Sequence, residues 1–525
     1  MSDEINAALA GVFGLLIPEL ILGFAACVLF LGATFWTNRH LWAGLSLIAL
    51  LGAGVALAFS RADAPTTAEV YAGALALDRM ALLIKAIALG GGVVLVLCSW
   101  DAVPDRQAGE YYACLLLIIA GLSLTGAANE LITLFLALEL TSIPVYILLY
   151  LPRHDQAAQE AALKYFLLSI FASAMLLFGF SYLYGMTGTT NLPALVETLM
   201  APGPEHLPAI SQVALVMVVG GLCFRITAVP FHFYAPDVYQ GTPTVAAALL
   251  AFVPKVAGFT ALMRILGFIY AGHAGAGLAL GAETSMLFYI LALVTMSLGN
   301  LFGLLQDNLK RLLAYSSVAH AGYMLIGMAA APDLRVSWLT SQAEDPAAFG
   351  GIDAVLFYLV AYAGMTIGAF AVLSYLSEPQ RPVENLDDLA GLSRSHPGAA
   401  LLMLIFLFSL IGVPFTAGFW GKLQLFFGAL SVRAPAEHPW LWGILALVGA
   451  LNVAVGAVYY LRIIAVMYLR SPVKPLESRR SLPGLASLWI CALVTLVFGI
   501  YPPMLSQVAH DAIMPQHRVE QRAER

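Results

Sequence analysis

The chain has 525 residues, 61% of them hydrophobic and 11% charged, with a net charge of −6 and a mean hydropathy of +0.86. Soluble proteins carry roughly 25% charged residues, so this composition excludes a water-soluble globular fold and gives a polytopic membrane protein whose main solvent is lipid. No basic patch points to nucleic acid, the acidic start MSDEIN lacks the basic region of a cleaved signal peptide, and Cys27, Cys98, Cys114, Cys223 and Cys491 sit in apolar runs without metal or redox spacing.

A transmembrane helix takes about 20 apolar residues. On that measure about 14 spans can be drawn: 9–33, 41–60, 76–99, 111–128, 131–150, 161–185, 209–234, 241–271, 285–305, 309–331, 352–377, 397–430, 440–469 and 482–507. Arg39, Arg106, Arg153, Lys310, Arg311, Arg381, Arg394, Arg470, Lys474, Arg479 and Arg480 fall in loops on one side. The other side holds Arg61, Arg335 and Arg433, with Arg518, Arg522 and Arg525 in the tail. The positive-inside rule then predicts a cytoplasmic first set and both termini outside, against the pull of the basic tail.

Spans four and five are joined by only Ala128–Glu130, a tight reversal. Span five carries Glu139, about 13 Å along the helix and therefore near mid-membrane. A lone carboxylate at that depth is neutral or paired, and the plainer alternative is an ion pair that only holds helices together. Span six carries Lys164, close enough to its cytoplasmic end to snorkel, so functional and structural readings stand level.

Residues 220–263 read GGLCFRITAVPFHFYAPDVYQGTPTVAAALLAFVPKVAGFTALM. Arg225 lies in the first apolar run and Lys255 near the middle of the second, while Pro230 interrupts the first. A cation at the centre of a membrane helix costs about 2.5–3.5 kcal/mol on insertion scales. A proline inside a helix leaves a carbonyl without its donor, which membranes tolerate only where protein or water satisfies it. Charge and a broken helix together mark an ion path. Arg225 could instead snorkel to an interface; Lys255 is too deep for that to be the simpler reading.

Span ten opens DNLKRLLAYSSVAHAGYMLIG. Lys310 and Arg311 read as interfacial anchors. His320 lies about 15 Å further up, where a neutral imidazole can pass a proton from one nitrogen while accepting at the other. Ser316, Ser317 and His320 could also simply bond neighbouring helices. In span twelve Pro414 breaks the run, Gly412, Gly418 and Gly421 loosen it, and Lys422 follows the break.

AVPFHF (228–233) and GVPFTA (412–417) share Val-Pro-Phe, each in the fourth span of a five-span block. An odd number of spans forces the second block to insert upside down. The expected architecture is all-α, with two inverted five-helix repeats that each contain a broken helix, as in transporters. The divisions are a three-helix segment at 1–110, the first repeat at 111–271, the second at 285–469 and a C-terminal helix and tail at 470–525.

A buried lysine is pushed toward its neutral form by desolvation and pulled back by a nearby carboxylate. Lys255 and Lys422 therefore suit a proton switch, whereas Arg225 stays charged and serves as a counter-charge that tunes Glu139. No phosphate-binding loop is present, GHAGAG (272–277) follows no strand, and no haem or cluster ligation pattern appears. The driving energy must come from an ion gradient or a partner.

LALELTSIPVY, FRITAVPFHFYAPDVYQGTPTVAAALLAFVPKVAGF, QDNLKRLLAYSSVAHAGYMLIG, LDDLAGL and GVPFTAGFWGKLQLF resemble the antiporter-like subunits of the bacterial proton-pumping NADH:quinone oxidoreductase, respiratory complex I. LDDLAGL, a lysine rather than a glutamate in span twelve, and the lack of a long lateral helix favour the subunit N branch over M and L. The resemblance implies a proton channel whose working residues match Glu139, Lys164, Lys255, His320 and Lys422. Arg225 stands where the family usually has lysine, which weakens any step in which that position gives up its proton and leaves its electrostatic role intact. The resemblance further implies a bacterial inner-membrane location and partners among the antiporter-like subunits M and L, the small subunits K, J and A, and lipids. It implies no cofactor in this chain, with flavin, iron–sulfur clusters and quinone in other subunits. The competing readings are a subunit of a cation/proton antiporter and a structural subunit with an idle channel.

Overall fold

The computed structural model describes residues 15–60, 73–151, 155–200, 209–271, 277–340, 350–377, 382–432, 439–472 and 481–513. Among them the regular structure is helical, with isolated β-bridges and no strands. Eleven helices are long and apolar enough to cross a membrane, and three shorter apolar ones accompany them, at Ile17–Ala33, Ile210–Arg225 and Pro397–Ile411. The last two are short because each is the first part of an interrupted span. The first span's expected start at 9–14 lies outside the described residues. So do GHAGAG up to 276, the loops holding Arg61, Arg153, Arg381, Arg433, Lys474, Arg479 and Arg480, the side chain of Arg335, and the tail with Arg518, Arg522 and Arg525.

In chain order the helices are α1 (Ile17–Ala33), α2 (Arg39–Ser60), α3 (Arg79–Ser99), α4 (Ala108–Ala127), α5 (Leu131–Tyr150), α6 (Gln156–Thr187), α7 (Leu192–Met200), α8 (Ala209–Arg225), α9 (Ala235–Gly241), α10 (Thr244–Ala271), α11 (Gly277–Leu304) and α12 (Leu309–Thr340). They continue with α13 (Ile352–Leu376), a single turn at Leu392–Ser395, α14 (Pro397–Ile411), α15 (Ala417–Ser431), α16 (Pro439–Leu469), α17 (Leu482–Ile500) and α18 (Pro503–Ile513).

Burial separates these helices into a centre and a surround. The apolar windows of α10 and α12 are each 94% buried and that of α13 is 89% buried, against 33% for α6, α16 and α17. A helix apolar all round is buried in protein or faces lipid, and here the difference falls on the charges. Lys255 lies on α10 and His320 on α12, both in the central group. Small residues let the centre close: α11 and α12 meet at Gly299 against Ala319 and at Gly322 against Met296, where a Cβ would overlap the opposing backbone.

LDDLAGL has a structural part in this arrangement. Leu386–Leu389 form a 3-10 turn capped reciprocally by Asn385 and Asp388. The segment ties down the start of α12 through Leu309 N–H to the Glu384 carbonyl (2.7 Å) and Leu386 N–H to the Asp307 carbonyl (3.1 Å). Gly391 has φ +69° and rests against Pro472, so only glycine suits the turn.

Candidate functional site

The site begins with two missing hydrogens. In a helix the N–H of residue i bonds the carbonyl of residue i−4, and proline has no N–H. Pro230 therefore cannot bond Ile226, and Pro414 cannot bond Leu410. At Leu410 a lysine supplies the donor, and at Ile226 a lysine does so alongside the neighbouring Thr227 hydroxyl (2.6 Å). Lys255 Nζ donates to the Ile226 carbonyl (3.3 Å), to Thr227 Oγ1 (2.8 Å) and to the Ser317 carbonyl (2.5 Å). Lys422 Nζ donates to the carbonyls of Leu410 (2.6 Å) and Ile411 (2.9 Å). Each amine sits at the C-terminal end of a half-helix, where the partial negative charge of the macrodipole favours a cation. Lys255 is 0% exposed and Lys422 5%. The acceptors are neutral, so either amine can give up a proton without leaving a carboxylate stranded.

The backbone at the breaks departs from helix in ways that open these seats. α8 ends at Arg225, and Thr227 takes φ +58°. α14 ends at Ile411, with Gly412 at φ +94° and Phe415 at +69°. Non-glycine residues enter the left-handed region at a cost of about 1–2 kcal/mol, so two of them beside the breaks show that the surrounding packing holds the interruption open.

Arg225 does not reach an interface. It is 6% exposed and both terminal guanidinium nitrogens are bonded. Nη2 donates to Glu139 Oε1 (2.9 Å) and Ser173 Oγ (3.5 Å), while Nη1 donates to the Leu138 carbonyl (3.0 Å) and to Ser142 Oγ. Ser173 donates in turn to Glu139 Oε1 at 2.6 Å. Glu139 and Arg225 therefore form one ion pair across α5 and α8, and the chain next to Arg225 is the Ile226–Thr227 stretch that holds Lys255.

Lys255 touches α12 at Ser317, one turn before His320, and lies 5.7 Å from the centre of the Tyr362 ring. His320 is buried among tyrosines: Nδ1 is 2.5 Å from the Tyr358 hydroxyl and Nε2 is 3.2 Å from that of Tyr460. Tyr358 packs on Gly421, where a Cβ would overlap its ring, and Gly421 precedes Lys422. Lys422 Nζ stands 5.0 Å over the Tyr323 ring. The order across the protein is thus Glu139–Arg225, Lys255, His320, Lys422, each linked to the next by backbone or by a named side chain.

Lys164 stands apart from this row. It pairs with Asp237 (2.7 Å) and Glu160 (2.6 Å), all three partly exposed. Ser173, the α6 residue in the row, is about 13 Å further along the same helix. Lys310 differs from the anchor predicted for it. Lys310 is 2% exposed and donates to the carbonyls of Gln240 (2.8 Å) and Thr242 (2.9 Å), and Arg311 bonds Asp237 at 2.6 Å. The carbonyl end of the short helix α9 draws Lys310 inward, while Arg311 stays partly exposed on the Asp237 carboxylate.

Sequence reasoning missed two further buried pairs. Lys85 Nζ meets Glu19 Oε1 at 2.7 Å, with Ser123 also donating to Glu19, and Arg264 Nη1 meets Asp78 Oδ2 at 2.6 Å. The criterion that found Lys255, a charge inside an apolar run, applies equally to Lys85 and Arg264. Among the described residues no group of three histidine, cysteine, aspartate or glutamate side chains could hold a metal.

Known proteins of similar sequence and fold place the chain in a family. The transmembrane family model described as NADH:quinone oxidoreductase/Mrp antiporter matches residues 128–451. NADH-quinone oxidoreductase subunit N of Trichlorobacter lovleyi is 36% identical over 503 residues, covering 95% of this chain and 96% of the relative. A chain of respiratory complex I from Thermus thermophilus superposes with a TM-score of 0.73 at 30% identity, covering 93% of this chain and 98% of the other. A chain of the Mrp complex from Dietzia sp. DQ12-45-1b gives a TM-score of 0.77 at 19% identity, covering 95% and 97%. That last likeness is one of fold.

Proposed function

Because the chain belongs to the antiporter-like family of NADH:quinone oxidoreductase membrane subunits, with subunit N among its full-length relatives, we propose that the row Glu139–Arg225, Lys255, His320 and Lys422 is its proton path. The chain is a multi-pass, proton-translocating membrane subunit of the oxidoreductase of respiratory complex I. The observation that carries the path is the pair of lysines seated on proline-freed carbonyls. An ammonium there is held by dipoles alone, so a change in a neighbouring charge alters its proton affinity directly.

Arg225 keeps its proton. Its guanidinium balances the Glu139 carboxylate, and any event that draws Glu139 away leaves the guanidinium charge unbalanced beside Lys255. Repulsion then favours loss of the Lys255 proton toward α12. His320, neutral, takes a proton at one nitrogen and gives one from the other, and Lys422 receives it. Lys164, outside the row, serves with Asp237 to fix the inner end of α9 and so the lower edge of the first break.

The two blocks, 111–271 and 285–469, are read as inverted copies, supported by a Val-Pro-Phe break in the fourth span of each. Segments 1–110 and 470–525 flank them. Both termini are assigned to the outer side of a bacterial inner membrane, on the charge of the loops. The neighbours are the antiporter-like subunits M and L, the small subunits K, J and A, and lipid. Flavin, iron–sulfur clusters and quinone belong to other subunits.

Replacing Lys255 by Met in the assembled complex tests the path. The variant is expected to assemble normally and to lose coupled turnover. Unchanged proton pumping by the Lys255→Met complex would leave this channel idle and refute the proposal.

A further inference from the structure

Both ring nitrogens of His320 are occupied by phenolic hydroxyls, from Tyr358 on α13 and Tyr460 on α16. We propose that these two tyrosines are proton-passing residues, and that His320 exchanges protons through them alone. The proposal rests on the relay reading above and adds to it residues from two further helices.

Packing does not ask for these hydroxyls. Tyr358 is 0% exposed and Tyr460 2% exposed, where phenylalanine would bury the same ring without a polar atom. A buried hydroxyl is costly unless it is bonded. Each of these is bonded to a histidine that lies between two lysines. Tyr460 also bonds Ser316 Oγ, and the next residue, Ser317, accepts from Lys255 Nζ through its carbonyl. Tyr358 leans on Gly421, the residue before Lys422. One tyrosine thus faces the Lys255 side of the histidine and the other faces the Lys422 side.

The step balances with neutral groups. A hydroxyl accepts a proton at oxygen while releasing its own. The Tyr460 O–H proton passes to Nε2 as the Ser316 O–H proton arrives at the Tyr460 oxygen, and the proton released by the Lys255 ammonium, carried across by a water molecule, restores the Ser316 hydroxyl. The Nδ1 proton passes to the Tyr358 oxygen as the Tyr358 O–H proton leaves toward Lys422. One proton has moved, each hydroxyl keeps its hydrogen count, and the imidazole is left in its other tautomer. No electron is transferred. Rotation of the hydroxyls and reorientation of the imidazole, which carries its N–H back to the Tyr358 side, reset the relay.

The test uses the assembled oxidoreductase in proteoliposomes, with Tyr358→Phe and Tyr460→Phe made separately and Tyr289→Phe as control. Tyr289 bonds only a backbone carbonyl, that of Leu441 at 3.1 Å, among its hydrogen bonds. Each relay variant is expected to assemble, to melt with the wild type, and to deliver protons roughly fivefold or more slowly per NADH oxidised. The control is expected to pump normally. Normal melting with slowed pumping is the signature that a purely structural tyrosine would not give. Wild-type proton yield in both Tyr358→Phe and Tyr460→Phe overturns the proposal, and where one variant fails to assemble the other carries the test. Loss of pumping in Lys255→Met together with normal pumping in both tyrosine variants would refute the hydroxyl steps and leave the relay standing.

Discussion

Arg225 offers the sharpest quantitative test of the electrostatics. It makes four hydrogen bonds, one of them to Glu139. Arg225→Met removes the cation and leaves a carboxylate behind. Breaking a fully buried ion pair costs about 3–5 kcal/mol. Glu139 is 20% exposed and keeps its bond from Ser173, so the expected loss is nearer about 2–3 kcal/mol. Arg225→Lys keeps the charge but has a single ammonium in place of a rigid fork. It can hold Glu139 and one further acceptor, and the loss of about two ordinary hydrogen bonds costs about 1–2 kcal/mol. Thermal melting of the purified complex is expected to rank wild type above Arg225→Lys and Arg225→Lys above Arg225→Met. NADH-driven proton uptake should survive in the lysine variant and fail in the methionine one, because the lysine keeps a cation opposite Glu139 and the methionine does not. Equal melting and equal pumping in all three proteins would show that the pair is neither structural nor electrostatic in effect. Equal damage from both substitutions would show that geometry, not charge, is what Arg225 contributes.

Two further substitutions probe other parts of the molecule. Gly421→Ala drives a methyl into the Tyr358 ring and should destabilise by about 1–3 kcal/mol while lowering pumping, whereas Gly398→Ala, with open space at its Cβ, should do neither; melting and proton uptake read both. Lys85→Met strands Glu19 and should cost about 3–5 kcal/mol, while Glu19→Met combined with Lys85→Met recovers most of it; a double variant as unstable as the single one would contradict the pairing seen between α1 and α3.

The buried charges were legible in the sequence because lipid makes them conspicuous. An apolar run with Glu139, Arg225, Lys255 or Lys422 inside it has few explanations. The breaks at Pro230 and Pro414 were legible for the same reason, since proline removes a donor wherever it stands. Tyr358 and Tyr460 were not, because a tyrosine in an apolar span reads as core, and only coordinates show that a hydroxyl points at His320. Ser142 and Ser173 were hidden in the same way within α5 and α6. Lys310 was read as an anchor because it stands at a helix start, where an exposed cation is ordinary. Its nearest partners are backbone carbonyls of residues 240 and 242, with the Glu384 carboxylate 3.8 Å away, and no pattern of side chains announces a carbonyl. Lys85 and Arg264 were within reach of the same rule that found Lys255, applied to every span.

The lysine seats owe their existence to covalent chemistry. An imino acid has no hydrogen to give, so the carbonyls of Ile226 and Leu410 lack their helical donor however the neighbouring helices shift, and each accepts from a side chain instead. Tertiary contacts can move with each catalytic cycle, but the vacated bond cannot be closed by motion. Two fixed polar stations in an otherwise oily interior follow from two ring-closed residues, and a machine that must return to its starting state after every proton is well served by landmarks that do not depend on conformation.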